Sequence, residues 1–148
     1  MVSPDATRPK ASFDRETAVQ IAVLLLRVVA GLLFLQAGGS KLFDWFGLMP
    51  KTVPLLSQIG LAGVLEVVGG VLVMLGFGTR IVSFVLSGEM AVAYFQSHQP
   101  KGTWPIQNHG QQAVLFCFIF LFFAAYGAGR LSLDSILKKR MDLARRQD

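Results

Sequence analysis

Four apolar tracts dominate this chain, running from Ala18 to about Ala37, Leu55 to Leu75, Ile81 to Ser97 and Gly110 to Ala128. Between them they carry only three charged side chains, Arg27, Glu66 and Glu89. About 20 apolar residues suffice for a helix to cross the hydrocarbon core of a bilayer. Charged residues make up 16% of the chain and apolar residues 53%, against roughly 25% charged in soluble domains. The expected fold class is therefore all-α: an integral membrane four-helix bundle, with a short C-terminal amphipathic cytoplasmic helix. The 148 residues suffice for one such domain.

The expected organisation has three parts. Residues 1–17 form a flexible cytoplasmic tail, residues 18–129 the four spans, and residues 130–148 a basic cytoplasmic amphipathic segment. The first tract is read as a retained span, because Arg27 interrupts it and Leu35-Gln36-Ala37 is a poor cleavage site. Trp45 and Phe46 suit a membrane–water interface, and Pro54 suits the first position of the second helix. Gly76 to Arg80 forms a tight turn. In the last segment Leu133, Ile136, Leu137, Met141 and Ala144 share a helical face, Lys138, Lys139, Arg145 and Arg146 fall away from it, and Ser132 is the expected N-cap. Such a helix lies on a membrane surface; a frayed basic tail is the alternative.

The net charge of +5 comes largely from the ends. The tails and the Arg80 turn hold ten of the fourteen Lys and Arg residues, and the other two loops only Lys41, Lys51 and Lys101. The excess of cations on the cytoplasmic side then puts both termini in the cytoplasm. No basic patch with interleaved aromatics occurs, so nucleic acid is not an expected partner; the lipid bilayer is.

The central stretch is GLAGVLEVVGG, Gly60 to Gly70. Glu66 shares a helical face with Gly63 and Gly70, with Ala62 and Gly69 alongside, and small residues let a second backbone approach. Arg27 shares its face with Gln20, Ala30, Gly31, Phe34, Gly38 and Lys41. Counted from the expected helix ends, Arg27, Glu66 and Glu89 all fall near mid-membrane. The sequence therefore predicts Arg27 lying between the two acids, bridging them with its fork of donors. One cation against two acids leaves one negative charge in excess, which a bound proton would neutralise. The trio reads either as polar glue that sets helix order or as a site that handles a proton or an anion.

Other polar groups gather toward the outer helix ends: Gln36, Lys41, Gln96, His98, Gln107, Asn108, His109, Gln111 and Gln112. They line a vestibule above the trio or form an ordinary polar interface. Lys41, Gln96 and His98 are the candidate cofactor-binding residues; Glu66, Glu89 and Arg27 are the candidate catalytic ones. No metal site is expected, since His98 and His109 lack companion ligands. Cys117, the single cysteine, excludes an internal disulfide and reads as a packing residue, while Phe116 to Phe123 read as lipid-facing. There is no phosphate-binding glycine loop and no serine–histidine–acid set.

Four stretches resemble the DoxX family. These are RVVAGLLFLQAGGSK (Arg27, Gly31, Phe34, Gly38, Lys41), GVLEVVGG (Glu66), GEMAVAYFQSH (Glu89, His98) and GAGRLSLD (Gly127, Gly129, Asp134), spanning Leu24 to Asp134. The chain departs from the family pattern at Ala37, where members often carry histidine, and at Gln111 and Gln112, where an acid is common. The resemblance implies a bacterial inner-membrane four-helix protein, with relatives linked to quinone-coupled thiosulfate oxidation or to thiol and oxidant defence. Three readings follow. One is a subunit or accessory of a membrane oxidoreductase, with a diffusible quinone and a redox partner protein. The second is a solute or proton carrier with Arg27 as anion anchor, and the third an assembly partner without chemistry. No cofactor-attachment motif occurs, so no covalently bound cofactor is expected. Substrate and oligomeric state are not written in the sequence.

Overall fold

A computed structural model describes residues 14–47 and 53–146. The expectations for the tail before Asp14 and for Lys51 lie outside the described residues. The described chain is helical throughout, with no strand among those residues. It comprises α1 (Arg15–Phe43), α2 (Gln58–Leu75), α3 (Thr79–Ala93), α4 (Gln111–Tyr126) and α5 (Leu133–Ala144). A π-helical turn, Tyr94–His98, and a 3₁₀ turn, Gln99–Lys101, prolong α3.

By length and composition α1 and α2 can cross a membrane, and α4 is a shorter apolar helix. Helix α1 has 29 residues, about 43 Å at 1.5 Å per residue, longer than the roughly 30 Å hydrocarbon core. It begins at Arg15, capped by the Asp14 side chain, and ends where Asp44 turns left-handed. It is thus longer at both ends than the Ala18–Ala37 tract. Helix α2 begins later than expected. Pro54 is not its first residue: Ser57 caps it, bonding Gly60 N, while the Pro54 carbonyl accepts from Ser57 N and Oγ. Gly76 closes α2 with φ 70°, as the turn signal required. Ser132 caps α5 through a bond from Ser135 N.

Helices α1 and α2 pack on each other along their lengths, as do α3 and α4, whereas α2 and α3 touch more sparsely. The α1–α2 seam is built on glycine. A Cβ on Gly38 would stand 2.6 Å from the Gly63 carbonyl oxygen and 2.7 Å from Val67 N; one on Gly70 would stand 2.6 Å from the Gly31 carbonyl oxygen. Backbones this close leave no room for a side chain, which is the use of small residues anticipated for packing in lipid.

All four long helices feed one apolar core: Val23, Ala30 and Phe34 from α1, Val73 from α2, Leu86 and Met90 from α3, Phe120 and Phe123 from α4. The phenylalanines of α4 therefore divide. Phe120 and Phe123 are fully buried, Phe120 meeting Phe34 edge-on at 4.4 Å, while Phe118 and Phe122 stay on the outside. An almost uniformly apolar helix gives no periodic signal of its buried side, so the expectation that this run faces lipid held for only part of it. Cys117 packs against the core and its carbonyl accepts from Ser87 Oγ at 2.9 Å.

Candidate functional site

Lys41 and Glu66 form an ion pair, with Nζ 2.5 Å from Oε1; the acid is buried and the lysine half-buried. Two features of the sequence bring them together. The glycine seam holds α1 and α2 so close that a Cβ on Gly63 would meet the Lys41 Cβ at 3.3 Å. Lys41 therefore sits about one turn outward from Glu66. Helical side chains lean toward their own N-terminus, so the lysine stem runs inward along the seam to the acid. Glu66 is 3% exposed and its other oxygen, Oε2, has no partner.

Glu89 completes the cluster from α3. Both of its carboxyl oxygens are buried without a hydrogen-bond partner, and Glu66 and Lys41 are the charges acting on it. The approach of α2 to α3 at this level rests on Gly69, where a Cβ would lie 2.8 Å from a Leu86 methyl. One cation against two acids is the anticipated balance, but the cation is Lys41.

Arg27 is not between the acids. Its guanidinium donates from Nη1 to the Ala128 carbonyl and from Nη2 to the Leu131 carbonyl at 2.7 Å, and it is 1% exposed. Gly76 lies against it: a Cβ there would be 2.6 Å from Nη1, so glycine is required for space as well as for its φ of 70°. Arg27 misses the acids because the start of α1 is not level with the end of α2: α1 runs on past Gly76, the residue Arg27 packs against. Arg27 lies level with the end of α2, about 21 Å along the axis from Lys41 at 1.5 Å per residue. It leans toward the N-terminus of α1 and away from Glu66. The face predicted for α1 is nonetheless the buried one: Arg27, Ala30, Gly31, Phe34 and Gly38 all lie on it.

Around Arg27 the GAGRLSLD segment is fastened to three helices. The Asp134 carboxylate accepts from Gly78 N at 2.8 Å and Thr79 N at 3.1 Å, capping α3, while Asp134 N donates to the Gly76 carbonyl. Gln20 of α1 donates to Tyr126 Oη at 2.9 Å and accepts from Arg130 N at 2.8 Å. Asp134 had no assigned role beyond the family pattern; a Ser-x-Asp at the start of an amphipathic helix was the available signal. Thr79 and Ser83, fully buried with unpartnered hydroxyls, were also not singled out, though with Ser87 they recur every fourth residue along α3.

At the opposite end the polar residues do not converge on the acids. Gln96 is exposed and accepts from Gln58 Nε2. His98 bonds the Asn108 carbonyl through Nδ1 at 3.0 Å and stacks on Tyr94. Asn108, 1% exposed, organises this loop by donating to the Gly102 carbonyl and accepting from Gly110 N. Of the three candidate cofactor-binding residues, only Lys41 reaches the acids. Among the described residues no cluster of three His, Cys, Asp or Glu side chains has the arrangement of a metal site.

Comparison with known proteins adds the wider context. The DoxX family model matches residues 22–99. A protein of Haemophilus influenzae is 38% identical over 78% of this chain and 90% of its own length. A Bacillus subtilis protein named "Putative oxidoreductase CatD" is 30% identical over 81% of this chain and 90% of its own length. A membrane protein of Mycobacterium tuberculosis is 30% identical over 80% and 83%. No solved structure matches the chain significantly.

Proposed function

The chain belongs to the DoxX family, and on that premise we propose that it is a four-span subunit or accessory of a membrane oxidoreductase system, in which Lys41, Glu66 and Glu89 handle a proton. The observation that carries this reading is the Lys41–Glu66 pair beside a Glu89 carboxyl whose two buried oxygens have no partner. Lys41 neutralises one acid. Glu89 is left as the group whose charge nothing balances, so it holds or passes a proton. A buried polar group without a partner is costly in lipid, and it marks function more often than packing. The oxidoreductase name of the Bacillus subtilis relative supports the same direction.

Quinone reduction takes two electrons and two protons. The electrons would come from a redox partner, since this chain has one cysteine and no nucleotide loop. An apolar groove of about 250 Å³ lies along the α2–α3 seam, lined by residues such as Val68, Leu72, Val82 and Val85. It suits the hydrocarbon part of a quinone; the acids do not line it and lie about one helical turn beyond Gly69 and Leu86. Glu66→Gln and Glu89→Gln keep shape and remove acidity. Both should insert normally and lower quinone-linked electron transfer in membranes by about 100-fold, the scale of general acid–base catalysis. Unchanged electron transfer in both variants would end the proton-handling role. An anion carrier would have used Arg27 as its anchor, but the Arg27 fork is occupied by the Ala128 and Leu131 carbonyls.

The same reading places the protein in a bacterial inner membrane with both termini and the Arg80 turn in the cytoplasm, on the ten-to-three distribution of cations. In a Cys117→Ala background, a cysteine at Lys101 should label from outside the cell membrane. Labelling only from the cytoplasm would reverse the topology.

A further inference from the structure

We propose that the cleft between the end of α4 and the start of α5 binds the phosphate of an anionic phospholipid headgroup. The cleft has a volume of about 480 Å³ and is lined by Gln20, Arg80, Tyr126, Arg130, Asp134 and Lys138, with the Gly127–Gly129 turn as its floor. Its charges are not balanced within the chain. The ion pairs among the described residues are Lys41–Glu66 and Arg130–Glu16. Asp134 also lines the cleft as its one acid, with its carboxylate turned to Gly78 N and Thr79 N, so the cations outnumber it. Arg80 makes one long bond, from Nη2 to the Tyr126 carbonyl at 3.4 Å, and has no acidic partner there; Lys138 likewise has none. Two cations thus face one concave site, and a guanidinium with free donors matches phosphate oxygens.

The floor is shaped for close approach. Gly127 has φ 91°, and a Cβ on it would press to 3.2 Å from Arg80 Nε, so glycine keeps the guanidinium down in the cleft. Lipid is favoured as the source of the phosphate by what flanks the site. Ile136, Leu137 and Met141 present an uncovered apolar face on α5, immediately beside Lys138. Tyr126, the last residue of α4, also lines the cleft, and tyrosine is enriched where membrane helices meet headgroups. A basic pocket between helix ends, next to an amphipathic helix with a bare apolar face, fits a headgroup above and acyl chains below. The inference needs a membrane location and not the redox role.

The test uses the full-length protein in neutral detergent, unfolded by heat after addition of phosphatidylglycerol, phosphatidylcholine or inorganic phosphate. Phosphatidylglycerol should raise the unfolding temperature at least about 4 °C above phosphatidylcholine, and inorganic phosphate should not. The double variant Arg80→Gln/Lys138→Gln should lose that difference, while Arg140→Gln/Arg145→Gln, which removes two cations outside the cleft, should keep it. If the first double variant does not fold, Lys138→Gln alone, on exposed α5, should reduce the shift. Equal effects of the two lipids would overturn the proposal, as would an equal effect of inorganic phosphate. So would a shift that survives loss of Arg80 and Lys138, or one that falls equally with Arg140 and Arg145, since that would mark diffuse attraction rather than a site.

Discussion

Arg27→Leu should unfold the protein far more readily than any substitution on its outer surface, and should do so by releasing the C-terminal segment. The arginine satisfies two backbone carbonyls, those of Ala128 and Leu131, in a place that is 1% exposed. Hydrogen bonds from a charged donor are worth about 1.5–3 kcal/mol each, and a buried acceptor left bare costs a further penalty. A loss of about 3 kcal/mol or more is expected, seen as a lower unfolding temperature and as new proteolytic cleavage between Gly127 and Ala144. The pairing also fixes which combinations are independent. Arg27→Leu and Glu66→Gln should add within about 0.5 kcal/mol, since they lie at different levels of the molecule. Lys41→Met and Glu66→Gln should fall short of additive by about 1 kcal/mol or more, since they break one pair. Strong coupling of Arg27 to Glu66 would restore the arrangement expected from the sequence.

Much of this fold was legible because its signals are strong and local. Long uncharged tracts mark helices in lipid, the Gly76–Arg80 turn needs left-handed glycine, and the small residues around Gly38, Gly63 and Gly70 mark where α1 meets α2. The two acids were equally visible, as charges in tracts that otherwise have none. The partner was not, for two physical reasons. Neighbouring helices do not start and stop at one level: α1 runs on past the end of α2, so Arg27, well inside its own helix, lies beside Gly76 and not beside Glu66. A side chain also acts some distance from its own Cα. Lys41 lies at the polar end of α1 and reads as an interface residue, yet its stem carries the ammonium inward to Glu66. The division of the α4 phenylalanines was hidden as well, because a helix apolar on every side reveals no inner face.

Lys41→Met is expected to have the second large effect. Removing one member of a fully buried pair costs about 3–5 kcal/mol when the other charge stays buried; here the half-buried Lys41 is partly solvated, so the cost is smaller. Glu66, 3% exposed, escapes part of that cost by taking up a proton. On the proposed assignment the cluster would then hold two neutral carboxyls instead of one. Insertion should survive, but the proton traffic assigned to the site should stop, because the fixed positive charge that sets the two acids apart is gone.

The protonated-carboxyl stretch in the infrared spectrum of the purified protein, recorded near neutral pH, reads that arrangement directly. One such band from the buried acids is expected in the unaltered protein, lost in Glu89→Gln and joined by a second in Lys41→Met. A spectrum with no such band, or a band that persists unchanged in Glu89→Gln, would contradict the assignment of Glu89 as the proton-bearing group beside the Lys41–Glu66 pair.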